Sequence, residues 1–296
     1  MTRHPLFGLM LATFGALVLA PDTLFMRWSG MDGFQMVGWR GLCMGAVLLT
    51  AWALGGFGGA RAVFTPLGAG VILCHMTNAM LFSLGIAVAP VPVVLFAVAA
   101  SPVFAAIFAW IIAGEPTGRA TWIATVAVFL GIGIAIFGHD TGGIGLNLTS
   151  LLGALAGLGV AASLAMTFVI LRQNRALPIL PAIGTGALLS GVLGMSLAGG
   201  PAAMAQGEVW AIAVTGLVIL PVSFMALSQA SRHTAAVNVN LLMLLETVLG
   251  PICVWYGADE PLTLPMLIGG AVVVASLAVY IIATGRNGMK PKVAHN

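Results

Sequence analysis

Of 296 residues, 60% are hydrophobic and only 6% are charged, far below the quarter or so that a soluble domain uses to hold its surface in water. The Lys and Arg residues (11, against 8 acids) are scattered between apolar runs and form no basic cluster, which excludes a nucleic-acid-binding surface. The apolar runs last about twenty residues without the period-two alternation of a barrel strand, so the chain reads as an integral membrane protein that crosses as helices.

Windows of about twenty residues place ten spans. They cover roughly 6–26, 33–54, 66–87, 91–112, 120–138, 150–172, 178–199, 208–229, 234–256 and 264–284. Connections are short, so the expected organisation is a single membrane domain over 1–296. Arg3-His4 followed by Leu6 to Ala20 resembles a signal peptide. Cleavage is not expected, because residues 7–27 have a counterpart at 152–172, inside the chain.

Loop charge sets the expected orientation, since short cytoplasmic loops hold an excess of Lys and Arg. With the N-terminus inside, Arg3, Arg61, Arg119, Arg172, Arg175, Arg232, Arg286, Lys290 and Lys292 all fall inside, and the outer loops hold only Arg27. The acids Asp32, Asp140, Glu208, Asp259 and Glu260 run the other way. Both termini are therefore expected in the cytoplasm.

One stretch organises the chain. Ser101 to Arg119 is an apolar half-helix with a proline, an interfacial Trp110 and a Glu115-Pro116 turn, and it returns 145 positions later as Ile252, Trp255, Glu260 and Pro261 for Ile107, Trp110, Glu115 and Pro116. At that offset the second half slides onto the first without a gap, pairing Arg27 with Arg172 and Trp110 with Trp255. Five spans per copy is odd, so the second copy (150–284) enters from the opposite side to the first (6–138), giving an inverted repeat. The expected fold class is all-α and polytopic, with ten transmembrane helices as two inverted five-helix repeats. Since Glu115-Pro116 and Glu260-Pro261 fall on opposite faces, the motif reads as a structural turn, and only Ser101 and Pro102 reach the middle, opposite Glu246 and Thr247 in register.

Residues 91–138, with Pro102, the Ala-Trp-Ile-Ile-Ala-Gly-Glu-Pro run at 109–116 and the small-residue helix after it, resemble the EamA repeat of the drug/metabolite transporter superfamily. The resemblance covers nearly the whole chain, although the second copy has Asp259 where the first has Gly114, and Pro251 one turn beyond the position that matches Pro102. It implies a ten-helix exporter of small metabolites, often amino acids, from the bacterial cytoplasm, and within the family the aromatic amino acid exporters are the nearest likeness.

In a membrane helix the polar residue is informative, because an ionisable side chain at mid-bilayer costs roughly 2.5–3.5 kcal/mol on insertion scales. Glu246 lies halfway along the ninth span, with Asn238 on much the same face. It reads either as a protonated acid bonded to a neighbouring helix or as a cavity group that meets a substrate amine or takes up a proton. His75, at similar depth in the third span, shares a face with Asn78 and Phe82. It suits hydrogen bonding to a carboxylate or proton carriage, or equally a bond to a backbone carbonyl. Asp22 and Arg40, in the outer thirds of adjacent spans, read as an ion pair that reduces the cost of burying each charge, or as an outer gate.

Prolines mark helices that can bend. Pro21, Pro102, Pro221 and Pro251 fall within spans one, four, eight and nine and are hinge candidates. Ser101, Ser163, Thr167 and Ser223 add hydroxyls at middle depths, each of which could bond back to its own helix. Phe82, Phe104 and Phe224 supply apolar walls. Gly41-Leu-Cys-Met-Gly45 and Gly153-Ala-Leu-Ala-Gly157 read as close-packing faces.

Cys43, Cys74 and Cys253 lack paired spacing, so no disulfide, metal site or cofactor is expected. HExxH, Walker A and GxSxG motifs are absent, which argues against metalloprotease, ATP-driven and serine-hydrolase chemistry. The chain thus reads as no enzyme but a secondary transporter whose midplane cavity binds a zwitterion with a large apolar side chain. Its expected partners are a small-molecule substrate and the lipid bilayer, with no nucleic acid and no obligate protein partner. Two competitors remain: a proton-coupled exporter of lipophilic cations, and an intramembrane enzyme or receptor without flux.

Overall fold

A computed structural model describes residues 5–114, 148–234, 236–260 and 262–288, with eight further helical positions between 123 and 134. The fifth span falls mostly outside the described residues, as do the Glu115-Pro116 turn, Arg119, Pro261 and the terminal residues Arg3, Lys290 and Lys292. Among the described residues the protein is entirely helical, with 8 helices long and apolar enough to cross a membrane and a shorter apolar helix at Leu264–Ser276. It is an all-α, polytopic membrane protein.

Local chemistry sets the helix ends. Asp32 begins the second span, Gly33–Leu54, by accepting from the Phe34 and Gln35 amides at 2.8 and 2.9 Å, while the Gln35 side chain accepts from the Asp32 amide at 2.8 Å. This reciprocal box satisfies donors that the first turn would otherwise leave bare. Thr65 and Pro66 start the third span, Pro66–Val88, in a similar way, with Thr65 Oγ1 accepting from Gly68 N at 3.2 Å. The fourth span ends on Gly114 at φ 68°, and the ninth on its register counterpart Asp259 at φ 52°. The two copies differ there in residue and agree in backbone, because Asp is among the few side chains that tolerate the left-handed region.

Four spans are interrupted. The first breaks at Ala20-Pro21 between Pro5–Leu19 and Asp22–Ser29, and the fourth at Ala99-Ala100 between Val91–Val98 and Ser101–Ala113. The eighth passes through a π-helical turn, Thr215–Ile219, between Val209–Val214 and Leu220–Ser231. The ninth breaks at Met243, between Ala236–Leu242 and Leu244–Ala258. Pro251 lies inside the second of these helices, so the ninth span is interrupted eight positions before it.

Packing follows the small residues. A Cβ added at Gly41 would come 2.4 Å from Gly191 N and 2.5 Å from Ala187 O, and one at Gly45 would come 2.8 Å from the Leu188 backbone. The second span therefore lies backbone against backbone on the seventh, Ile179–Leu197. Gly153 and Gly157 of the sixth span, Leu148–Gln173, do the same against Ala89 and Val94 at the start of the fourth. The remaining pairings come in sets: third with sixth and first with eighth, fourth with sixth and first with ninth. Exchanging residues 145 positions apart carries each of these sets onto itself.

Candidate functional site

The four interruptions converge. Leu19 and Asp22 flank the break in the first span, Val98 precedes that in the fourth, Leu220 follows the π turn of the eighth, and Met243 is the break in the ninth; all five line one central cavity. A break in an α-helix frees backbone groups and opens the wall, so ligand sites in membrane bundles gather at such places. The second, third, sixth and seventh spans complete the lining with Arg40, Gly41 and Met44, with His75, Asn78, Ala79 and Phe82, with Val160 and Leu164, and with Ala187.

Two kinds of polar group face this space. Arg40 Nη1 donates to both carboxylate oxygens of Asp22, at 2.8 and 2.7 Å, with the two side chains 6% and 0% exposed. The Arg40 guanidinium also lies 5.5 Å from the centroid of the Phe82 ring, which attracts it through the ring's negative face. Asp22 and Arg40 thus neutralise each other inside the cavity wall. His75, Asn78 and Glu246 are as deeply buried, yet none of them has a hydrogen-bond partner among the described residues. Only a ring contact supports His75, edge-on to Phe224 at 5.0 Å. Buried polar groups are nearly always satisfied, so three open ones around a single cavity form an arrangement that can receive a polar ligand or water.

The other residues singled out from sequence lie elsewhere. Thr167 donates to Ser163 O at 2.9 Å and Ser223 to Leu220 O at 3.2 Å, each within its own helix, and the Asn238 amide donates to Thr234 Oγ1 at 2.9 Å. Ser101 is buried at the start of its half-helix, behind Val98, and Ser163 does not reach the cavity. Phe104 is no cavity wall, since it stacks on Phe108 at 6.1 Å in a separate apolar cluster. Pro21, Pro102 and Pro221 sit at the starts of the half-helices that follow the breaks, where a missing N–H costs nothing.

Phe82 and Phe224, expected as apolar walls, line the cavity, whereas its particular aliphatic residues were not singled out, although a signal for them was available. Leu19 and Leu164, His75 and Leu220, Ala79 and Phe224, and Val98 and Met243 are all separated by the 145-residue offset, and all eight line the cavity. The lining thus draws on residues from both halves of the chain at the 145-residue offset.

A further polar tie closes one face of the bundle. Glu260 accepts from Arg27 Nε at 2.9 Å through one oxygen and from the Val91 amide at 2.8 Å through the other, while Arg27 Nη2 donates to Ala89 O at 2.8 Å. Glu260 therefore joins the end of the first span to the junction of the third and fourth.

A polytopic helical protein whose broken spans surround a central cavity has the architecture of a secondary transporter. Residues 6–137, somewhat under half of the chain, match the EamA-like transporter family. No curated protein matches the sequence. Among solved structures, one crystal structure superposes over 94% of this chain and 97% of its own length with a TM-score of 0.68 at 17% identity, a likeness of fold. The family matched over residues 6–137 is one of membrane transporters.

Proposed function

We propose that the protein exports small metabolites, foremost amino acids with large or aromatic side chains, by alternating access around the central cavity. The observation that carries this reading is the trio His75, Asn78 and Glu246, buried and open to one cavity whose walls are Phe82, Phe224, Leu164 and Met243. A zwitterion matches it: the ammonium meets Glu246, the carboxylate meets the His75 and Asn78 donors, and the side chain meets the rings. Arg40 is committed to Asp22, which disfavours a substrate that is purely anionic. Rocking of one repeat (6–138) against the other (150–284) would expose the cavity alternately, with Pro21, Pro102 and Pro221 at the flexing points. Loop charge supports a bacterial inner membrane location with both termini in the cytoplasm.

Counterflow in proteoliposomes with labelled Phe, Leu, Lys and a quaternary ammonium tests this. Exchange of Phe and Leu is expected; exchange of the quaternary ammonium alone would overturn it. One observation favours a second reading, the proton-coupled export of lipophilic cations. Once Asp22 and Arg40 are paired, Glu246 is a cavity carboxylate without a cation of its own among the described residues. Under that reading Glu246→Gln abolishes accumulation driven by a pH gradient while amino-acid exchange persists.

A further inference from the structure

A second cleft lies at the far end of the bundle from the Glu260 tie, where the loop after the second span meets the loop between the sixth and seventh. Trp52, Gly58, Pro178, Gln229 and Arg232 line it. The loops touch directly, since a Cβ at Gly59 would come 3.1 Å from Pro178 Cγ. Trp52 Nε1 donates to Gly58 O at 2.9 Å, which holds the first loop in place beside an aromatic ring of the type that sits at headgroup level.

The electrostatics of this cleft are unbalanced. Arg232, which caps the eighth span, donates from Nη2 to Leu177 O, while its Nε is buried with no hydrogen-bond partner among the described residues. Burial, and then the charge of nearby Arg175, hold the Arg232 guanidinium below its usual pKa. Arg61, exposed in the short helix Ala60–Val63 that follows Gly59, adds a third cation on the same face. Among the described residues no acid stands near: Asp22 and Glu246 line the central cavity, and Asp32, Glu208, Asp259 and Glu260 sit at the opposite ends of their spans. A protein seldom leaves a buried guanidinium N–H open and pushed by a like charge, because both features cost stability.

We propose that this cleft binds a phosphate-bearing anion, and that in the membrane its occupant is the headgroup of an anionic phospholipid. A phosphate oxygen takes the free Nε–H, its charge relieves the repulsion between Arg232 and Arg175, and Gln229 supplies a further donor. Ile179, Leu180 and Met225 line the same cleft and offer the acyl chain an apolar wall. Basic pockets between helices on the cytoplasmic side, facing the anionic leaflet, bind lipid headgroups by this arrangement. The site is independent of the transported substrate.

Native mass spectrometry of the full chain, released from detergent with equimolar phosphatidylglycerol and phosphatidylcholine of matched chains, tests it. The wild type should retain phosphatidylglycerol about tenfold over phosphatidylcholine. Arg232→Gln and Arg175→Gln should each erase that preference; the second removes no hydrogen bond seen in the structure, so its folding is not at stake. Inorganic phosphate alone should leave the wild-type Tm unchanged. Equal retention of the two lipids, or an undiminished preference in both variants, overturns the site. A Tm rise with phosphate that both variants lose overturns the lipid as occupant in favour of a soluble anion.

Discussion

The two halves of the molecule agree in backbone at some register positions and divide the chemistry. The fourth span breaks at Ala99-Ala100 and the ninth close to its register counterpart, at Met243. Left-handed caps fall at Gly114 and at Asp259, and leucines line the cavity at Leu19 and at Leu164, whereas the break of the first span at Ala20-Pro21 has no counterpart in the continuous sixth. The polar groups obey no such symmetry. Asp22, Arg40, His75 and Asn78 of the first half stand against Thr167, Thr185, Leu220 and Ser223 of the second, and only Glu246, opposite Ser101, is contributed by the second half. A symmetric scaffold can rock either way around its axis, whereas an asymmetric lining receives an asymmetric substrate in a single orientation. Under the proposed function, the scaffold would supply alternating access and the first half most of the recognition.

The largest expected break in this comparison comes from Arg40→Met. It leaves Asp22 buried without its partner, at about 3–5 kcal/mol, and the double variant with Asp22→Asn should regain much of the loss. The matching Thr185→Val should change little; thermal unfolding in detergent reads all three. Next come the packing glycines. Gly41→Ala and its counterpart Gly186→Ala both drive a methyl into backbone, at 2.5 Å from Ala187 O and 2.6 Å from Ile72 O. Each should cost about 1–3 kcal/mol, and similar Tm losses in the two would sharpen the claim that the scaffold is shared. The smallest effect belongs to Thr167→Val, whose hydroxyl is spent on Ser163 O. Substrate exchange should stay within about twofold, in keeping with the small worth of such a bond.

The spans were legible because continuous apolar length is a bilayer's main demand, and the second, expected at 33–54, runs Gly33–Leu54. Glu246, His75 and Asp22 were legible for the related reason that a polar group stands out in such a run. Prolines pointed to the four interrupted spans but not to the position of each interruption. Pro21, Pro102 and Pro221 sit just inside the helix that follows a break, while Pro251 is absorbed within a helix and the ninth span opens at Met243 instead. Hydroxyls such as Ser223 were illegible as site residues, because sequence does not say whether a rotamer turns to the cavity or back to its own carbonyl. The aliphatic part of the lining was hidden for a different reason. Leu164 or Met243 looks like every other residue in a chain this hydrophobic until the register of the halves is laid on the cavity.

The most direct test pairs two register counterparts, Asn78→Ala and Ser223→Ala, in proteoliposome counterflow of labelled phenylalanine. Asn78 opens onto the cavity without a hydrogen-bond partner among the described residues, whereas Ser223 bonds its own helix at 3.2 Å. If recognition is carried mainly by the first half, Asn78→Ala should slow exchange about tenfold or more, the equivalent of about 1.4 kcal/mol, and Ser223→Ala should stay within about twofold of wild type. Equal losses in the two variants, or a larger loss for Ser223→Ala, would contradict the account.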